Sequence, residues 1–201
     1  MKIRELEGNL FLLEFDVTMP FEQVVERLKL TDEEDIDEFR TLWNGAVEYA
    51  VPKVMYRICG VNAIQDDLVT VEKTVFKSLM LAENLAERHR AVAYVITCGN
   101  EVEEWSNKEP DFLLRMLLDV IKQAIFDDVT EQFKVHVHKL LDTEKVSAMN
   151  PGDGDSDAWP IAQQRELFAL VGAVEEQIGV RLSDSCLMFP TKTVSGLFFP
   201  S

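Results

Sequence analysis

Apolar positions along this 201-residue chain fall into runs whose period changes from segment to segment. "NLFLLEFDV" (9–17) predicts a strand, and "FEQVVERLKL" (21–30) after it has the spacing of a short helix. Thr31 with Glu34 has the form of a capping box and predicts a second helix through about Tyr49. "LVTVEKTVF" (68–76) is rich in β-branched residues and "AVAYVITC" (91–98) is a nearly continuous apolar run; both suit strands. Between them "SLMLAENLAER" (78–88) has helical spacing, and Gly99 with Asn100 breaks the chain. The longest predicted element begins at Pro110, a good first-turn residue, and runs to about Leu141. "KVSAMNPGDGDSDAWP" reads as a loop, "IAQQRELFALVGAVEEQIG" (161–179) as a helix stopped by Gly179, and 182–199 as strand-like again. Strands and helices interleave without a strict βαβ rhythm. The expected class is α+β, a mainly antiparallel sheet with packed helices.

On the long helix, Leu113, Met116, Leu117, Val120 and Ala124 fall on one face. Continued toward the C-terminus, that face carries Asp127, Asp128 and Glu131, then Lys134 and His138. Two readings stand. The face leaves the core beyond Ala124 and is solvated, or its acids floor a cleft for a cationic or hydrogen-bonding ligand.

Charge narrows the partners. A formal net charge of −16 repels phosphate backbones and anionic membrane surfaces, so no nucleic acid and no membrane are expected. No apolar run approaches the ~20 residues of a membrane span, and the acids at Glu5, Glu7 and Glu14 leave no signal-peptide core. Cys59, Cys98 and Cys186 stand singly in apolar segments, which predicts reduced, buried thiols in a cytoplasmic protein. With 47% hydrophobic residues, the chain suits one compact unit.

Other candidate chemistry is thin. "DGDSDAWPIAQQ" (153–164) begins like a calcium loop at Asp153, Asp155 and Asp157, but Ala158 and Gln164 stand where Gly and a bidentate Glu are required. Turn geometry, with Asp157 or a neighbour capping the next helix, is the better account. His136 and His138, two apart on a helix, diverge, so no metal site is expected. Cys98 has no cation or His beside it in sequence and reads as a structural thiol.

Four stretches, in order, resemble the activation domain of cobalamin-dependent methionine synthase and its free-standing relatives. They are "VITCGNEVEEW" (95–105), "LLDVIKQAIFDDVTEQF" (117–133), "MNPGDG" leading to "QRELFALVG", and "SCLMFPTKTVSGLFF" (185–199). The last is the most specific, being similar to a family close of the form SxxMxPxxSVSGxxF. The likeness covers 67–201; residues 1–66 match it only weakly. It implies a domain that binds S-adenosylmethionine, docks on a corrinoid (cobalamin) protein or methyltransferase, and assists reactivation and remethylation of the cobalt. Cobalamin would come only with that partner. The other reading is a non-catalytic scaffold for a corrinoid protein.

Carried over by position, the resemblance places the helix carboxylate of the ligand site at Asp127, with Glu131 beside it. The binding loop falls on Pro151, Gly152 and Asp153, and the closing wall on Pro190, Ser195 and Gly196. Ala148 and Asp153 occupy the places of a family Arg and Tyr. The expectation is one groove lined by all of these, with no metal.

Overall fold

The structure, a computed structural model, describes residues 1–154 and 158–201. In chain order its elements are β1 (Lys2–Glu7), β2 (Leu10–Glu14), α1 (Phe21–Leu28), α2 (Glu33–Tyr49), β3 (Lys53–Gln65), β4 (Leu68–Val71), β5 (Thr74–Lys77), α3 (Leu79–Leu85), β6 (Arg90–Thr97) and α4 (Asn100–Ser106). Then come α5 (Phe112–Leu141), β7 (Val146–Met149), a 3-10 turn (Ile161–Gln163), α6 (Gln164–Val171), α7 (Val174–Ile178), β8 (Arg181–Leu182), β9 (Met188–Phe189) and β10 (Thr193–Pro200). The main sheet runs β1-β2-β3-β6-β10-β7, with the β4–β5 hairpin paired to the outer half of β3. Every pairing among the described residues is antiparallel, so the α+β class with an antiparallel sheet is the fold observed.

Strand β6 lies inside the sheet, and 91–97 are all buried. A strand covered on both faces needs apolar side chains at every position, which explains the unbroken run in its sequence. One face carries Met55, Val95, Leu197 and Phe199 under α6, α7 and α3. The other carries Tyr56, Tyr94, Ile96 and Phe198 under Val129, Phe133 and Val137 of α5. A third cluster joins α1, α2 and α4 to the first half of α5 through Phe39, Trp43, Val102, Ile121 and Ile125.

Several elements differ from the sequence expectation. Strand β3 is absent from it, although β3 pairs with both β2 and β6 and so ties 1–66 into the same sheet as 67–201. The predicted strand 68–76 is a hairpin, turned at Glu72 with φ of 53°. The cap of α2 is Asp32, not Thr31: its carboxylate accepts from the Glu34 and Asp35 amides at 2.9 and 3.3 Å. Pro110 lies outside α5, whose cap is Asp111, accepting from the Leu113 and Leu114 amides. The break at Gly99 and Asn100 separates β6 from α4, a helix the sequence expectation lacks. The single helix over 161–179 is broken at Gly172, where φ of 113° admits no helical continuation.

The largest correction concerns α5. Its buried side is Leu118, Ile121, Ala124, Ile125, Val129, Phe133 and Val137. Leu113, Met116 and Val120 of the expected core face are exposed. No described helix is long and apolar enough to cross a membrane.

Candidate functional site

The sheet edge at β7 supplies one cavity. β7 pairs with β10 through Leu197 opposite Met149 and Phe198 opposite Ala148, and the chain then turns through Asn150, Pro151 and Gly152. Gly152 has φ of 90° and packs so closely on Ile161 that a β-carbon would sit 3.2 Å from that side chain. Its amide donates to the Trp159 carbonyl at 2.8 Å, and the Asp153 amide donates to the Asn150 carbonyl at 3.2 Å. Buried Trp159 meets Phe76 edge-on with ring centroids 5.4 Å apart, and the Ser78 hydroxyl donates to the Ala158 carbonyl. The loop is therefore anchored on both sides of the undescribed residues; the calcium-loop positions Asp155 and Asp157, and the cap role suggested for Asp157, lie outside the described residues.

Met80, Ala148, Met149, Asn150, Asp153, Gly154 and Ala158 line this cavity, of about 510 Å3. That volume falls within the roughly 300–1,000 Å3 of small-molecule sites. The lining holds one carboxylate, Asp153, and no Lys or Arg among the described residues. Below it, the Tyr94 hydroxyl donates to the Asn150 side-chain oxygen at 3.3 Å. Burial holds the Tyr94 phenol far above its usual pKa, so it remains a proton donor. Gly196 faces Asn150 and Tyr94. Ser195, on the opposite face of β10, is 1% exposed and its hydroxyl has no partner among the described residues.

The acids of α5 lie at other cavities. Asp127 accepts from Arg27 at 3.3 Å and from Gln123 at 2.9 Å. It borders two adjoining depressions. The first, about 290 Å3, is formed with Val24, Leu28, Val120, Ala124 and Lys192; the second, about 560 Å3, with Glu26, Asp128 and Glu131. Glu131 is well exposed and 3.9 Å from Lys134. Asp128 is structural: its carboxylate accepts from the Thr18 amide at 2.6 Å, the Thr18 hydroxyl at 2.9 Å, the Met19 amide at 3.2 Å and Gln132 at 3.1 Å. It fastens the segment after β2 to α5.

Among the described residues the expected groove residues border more than one cavity. No described cavity is lined both by Asp127 or Glu131 and by Pro151, Gly152 or Asp153. The 190–196 segment serves both places: Lys192 reaches the α1–α5 cavity while Gly196 faces Asn150. Pro190 is buried between them, its carbonyl accepting from the Thr193 hydroxyl at 2.8 Å. Sequence reasoning missed Tyr94, Asn150 and Met80. Tyr94 sits within the apolar run of β6, where a polar tip was the only signal.

A chain of charges under the 190–196 turn was also not expected. Lys122, only 6% exposed, lies 2.7 Å from Glu103 and 3.9 Å from Asp119, and Lys192 reaches Asp119 at 2.9 Å. The neighbouring Cys98 thiol is pushed up to about 12 by burial, with Glu103 adding to the effect, so it is a thiol and not a nucleophile. His136 stands 3.1 Å from the Tyr56 hydroxyl, whereas His138 faces the Thr143 carbonyl. Among the described residues no three His, Cys, Asp or Glu side chains converge as metal ligands.

No family model matches the chain, and no curated protein matches it. Among solved structures it is similar to the crystal structure of the MetH reactivation domain bound to AdoHcy, with a TM-score of 0.70 at 14% sequence identity. The alignment covers 96% of this chain and 78% of that one. Identity that low speaks for the fold alone: the chain has the α+β architecture of the MetH reactivation domain, an antiparallel sheet with helices packed on it.

Proposed function

We propose that this chain is an activation-domain-like protein that docks on a corrinoid-carrying partner and assists its reductive reactivation, with the β7 cavity as the seat of an S-adenosyl ligand. The observation that carries the reading is the shared fold over nearly the whole chain with a reactivation domain that binds AdoHcy. The bound sulfonium would supply a methyl group, and the corrinoid, reduced by an external electron donor, would accept it. This chain's part is binding and orientation. Asn150 and Asp153 offer hydrogen-bond acceptors, Asp153 attracts an ammonium or sulfonium centre, and Met80 and Met149 give apolar contact. Gly152 and Gly196 let the loop after Pro151 lie close to its neighbours, the Pro190 carbonyl accepts from the Thr193 hydroxyl at the start of β10, and Ser195 lies on the other face of that strand. Asp127 and Glu131 fall outside this assignment and belong to the α1–α5 depressions.

A second reading, the non-catalytic corrinoid-protein scaffold, is favoured by one feature: no cation in the described lining clamps a ligand carboxylate. Calorimetry with S-adenosylmethionine and S-adenosylhomocysteine, followed by absorption spectra of a Co(II) corrinoid protein with reductant, separates the two. Binding together with S-adenosylmethionine-dependent formation of methylcobalt supports the first. Docking without ligand binding leaves the scaffold, and absence of both sinks the reading altogether.

A further inference from the structure

Leu113, Met116 and Val120 of the stripe that the sequence singles out on α5 form a surface, while Leu117 and Ala124 pack against the third cluster. Phe112 is 65% exposed, Leu113 68%, Met116 55% and Val120 37%, so the first turns of the helix present large apolar groups to water. A contiguous patch of this kind marks an interaction site, whereas scattered apolar residues do not. The stripe continues into the cavity of about 290 Å3, where Val120 and Ala124 meet Val24 and Leu28 of α1. One turn further the surface becomes acidic: Glu26, Asp127 and Glu131 face the second depression, with Arg27 as its one described cation.

We propose that this strip is the docking site for an amphipathic helix of a partner protein, apolar at one end and basic at the other. From Phe112 to Glu131 it runs about 28 Å at ~1.5 Å per residue, the length of a five-turn helix. Its apolar end with a central cavity accepts i, i+3, i+4, i+7 anchors. Its acidic end, on a chain of net charge −16, attracts and orients a basic segment. A second copy of this chain does not suit it. An antiparallel two-fold pairing would lay Asp127 and Glu131 over the other copy's Phe112 and Met116, desolvating carboxylates without partners. A parallel pairing would set acid against acid. The site is separate from the β7 cavity and does not depend on the activity proposed there.

The probe is a fluorescein-labelled, amidated helical peptide of about 20 residues, with leucines on one face of its first half and lysines on that face of its second half. Anisotropy is followed at low salt and at about 0.5 M salt, against a control peptide with glutamates for lysines. The lysine peptide should bind, weaken with salt, and lose at least about tenfold in affinity to Met116→Glu, with circular dichroism unchanged. Glu131→Lys should weaken the lysine peptide and improve the glutamate one. Equal binding of both peptides, no binding of either, or indifference to Met116→Glu overturns the proposal. So does light scattering that finds a dimer of the protein alone which Met116→Glu dissociates, since a second copy would then cover the strip.

Discussion

The carbonyl oxygen of Met149 occupies space that a β-carbon on Gly196 would need. The Asn150 side-chain oxygen and the Tyr94 hydroxyl would each lie 3.0 Å from that carbon. Gly196 therefore sets how closely the end of β7 and its loop approach β10. Gly196→Ala should force β7 outward and destabilise the protein by about 1–3 kcal/mol in urea unfolding. Ser195→Ala next to it removes a buried hydroxyl without a partner among the described residues and should be neutral or slightly stabilising. Equal stability of Gly196→Ala and the parent would refute the close approach.

Ala148 pairs with Phe198 at the mouth of the β7 cavity. An arginine there gives the lining the cation it lacks among the described residues. Ala148→Arg should tighten S-adenosylmethionine binding about tenfold, equivalent to ~1.4 kcal/mol, through a charge-assisted contact with the ligand carboxylate. Asp127→Ala should leave that binding unchanged. Calorimetry that finds the reverse order would move the ligand to α5.

Asp127 and Asp128 are adjacent yet have different roles. Asp127→Ala removes an exposed ion pair and should cost under about 0.5 kcal/mol. Asp128→Ala leaves the Thr18 and Met19 amides without their acceptor and should cost roughly 2 kcal/mol. Chemical denaturation of the two variants side by side tests the ranking.

Among the described residues Lys122 is the most enclosed charge, 6% exposed. Lys122→Met leaves Glu103 short of its partner and should destabilise by roughly 3 kcal/mol; adding Glu103→Gln should recover much of the loss. Additive losses in the double variant would show that the pair is not coupled.

Burial pushes the thiols of Cys59 and Cys98 up to about 12 from 9.0. Their contribution is fully present below about pH 9, where both states keep the proton. It is lost as pH rises toward about 12, because the unfolded chain ionises first. Melting temperature should fall from pH 9 upward by more than in a Cys59→Ala, Cys98→Ala variant. A thiol reagent at pH 8 should leave both cysteines unmodified until denaturant is added; rapid modification of the native protein would contradict their burial.

Much of the sheet was legible because local pattern and tertiary environment agree. The nearly continuous apolar run of 91–98 suited a strand, and β6 is that strand, found covered on both faces. The closing segment's Pro190, Ser195 and Gly196 stood out by motif, and Gly196 proved to be a point of close backbone approach. Strand β3 was not legible: Gly60 and Asn62 interrupt its apolar pattern, and it is a strand because β2 and β6 complete its hydrogen bonds. The buried side of α5 was likewise undecided by sequence. Apolar residues occur on two sides of that helix, and the 3.6-residue period identifies each stripe without saying which meets the sheet. Packing settled it, placing Ile125, Val129 and Phe133 inward and leaving Leu113 and Met116 outside. The placing of the expected groove residues at more than one cavity was equally beyond local pattern. Asp127 and Asp153 lie on separate elements, and no local spacing encodes which cavity each of them borders.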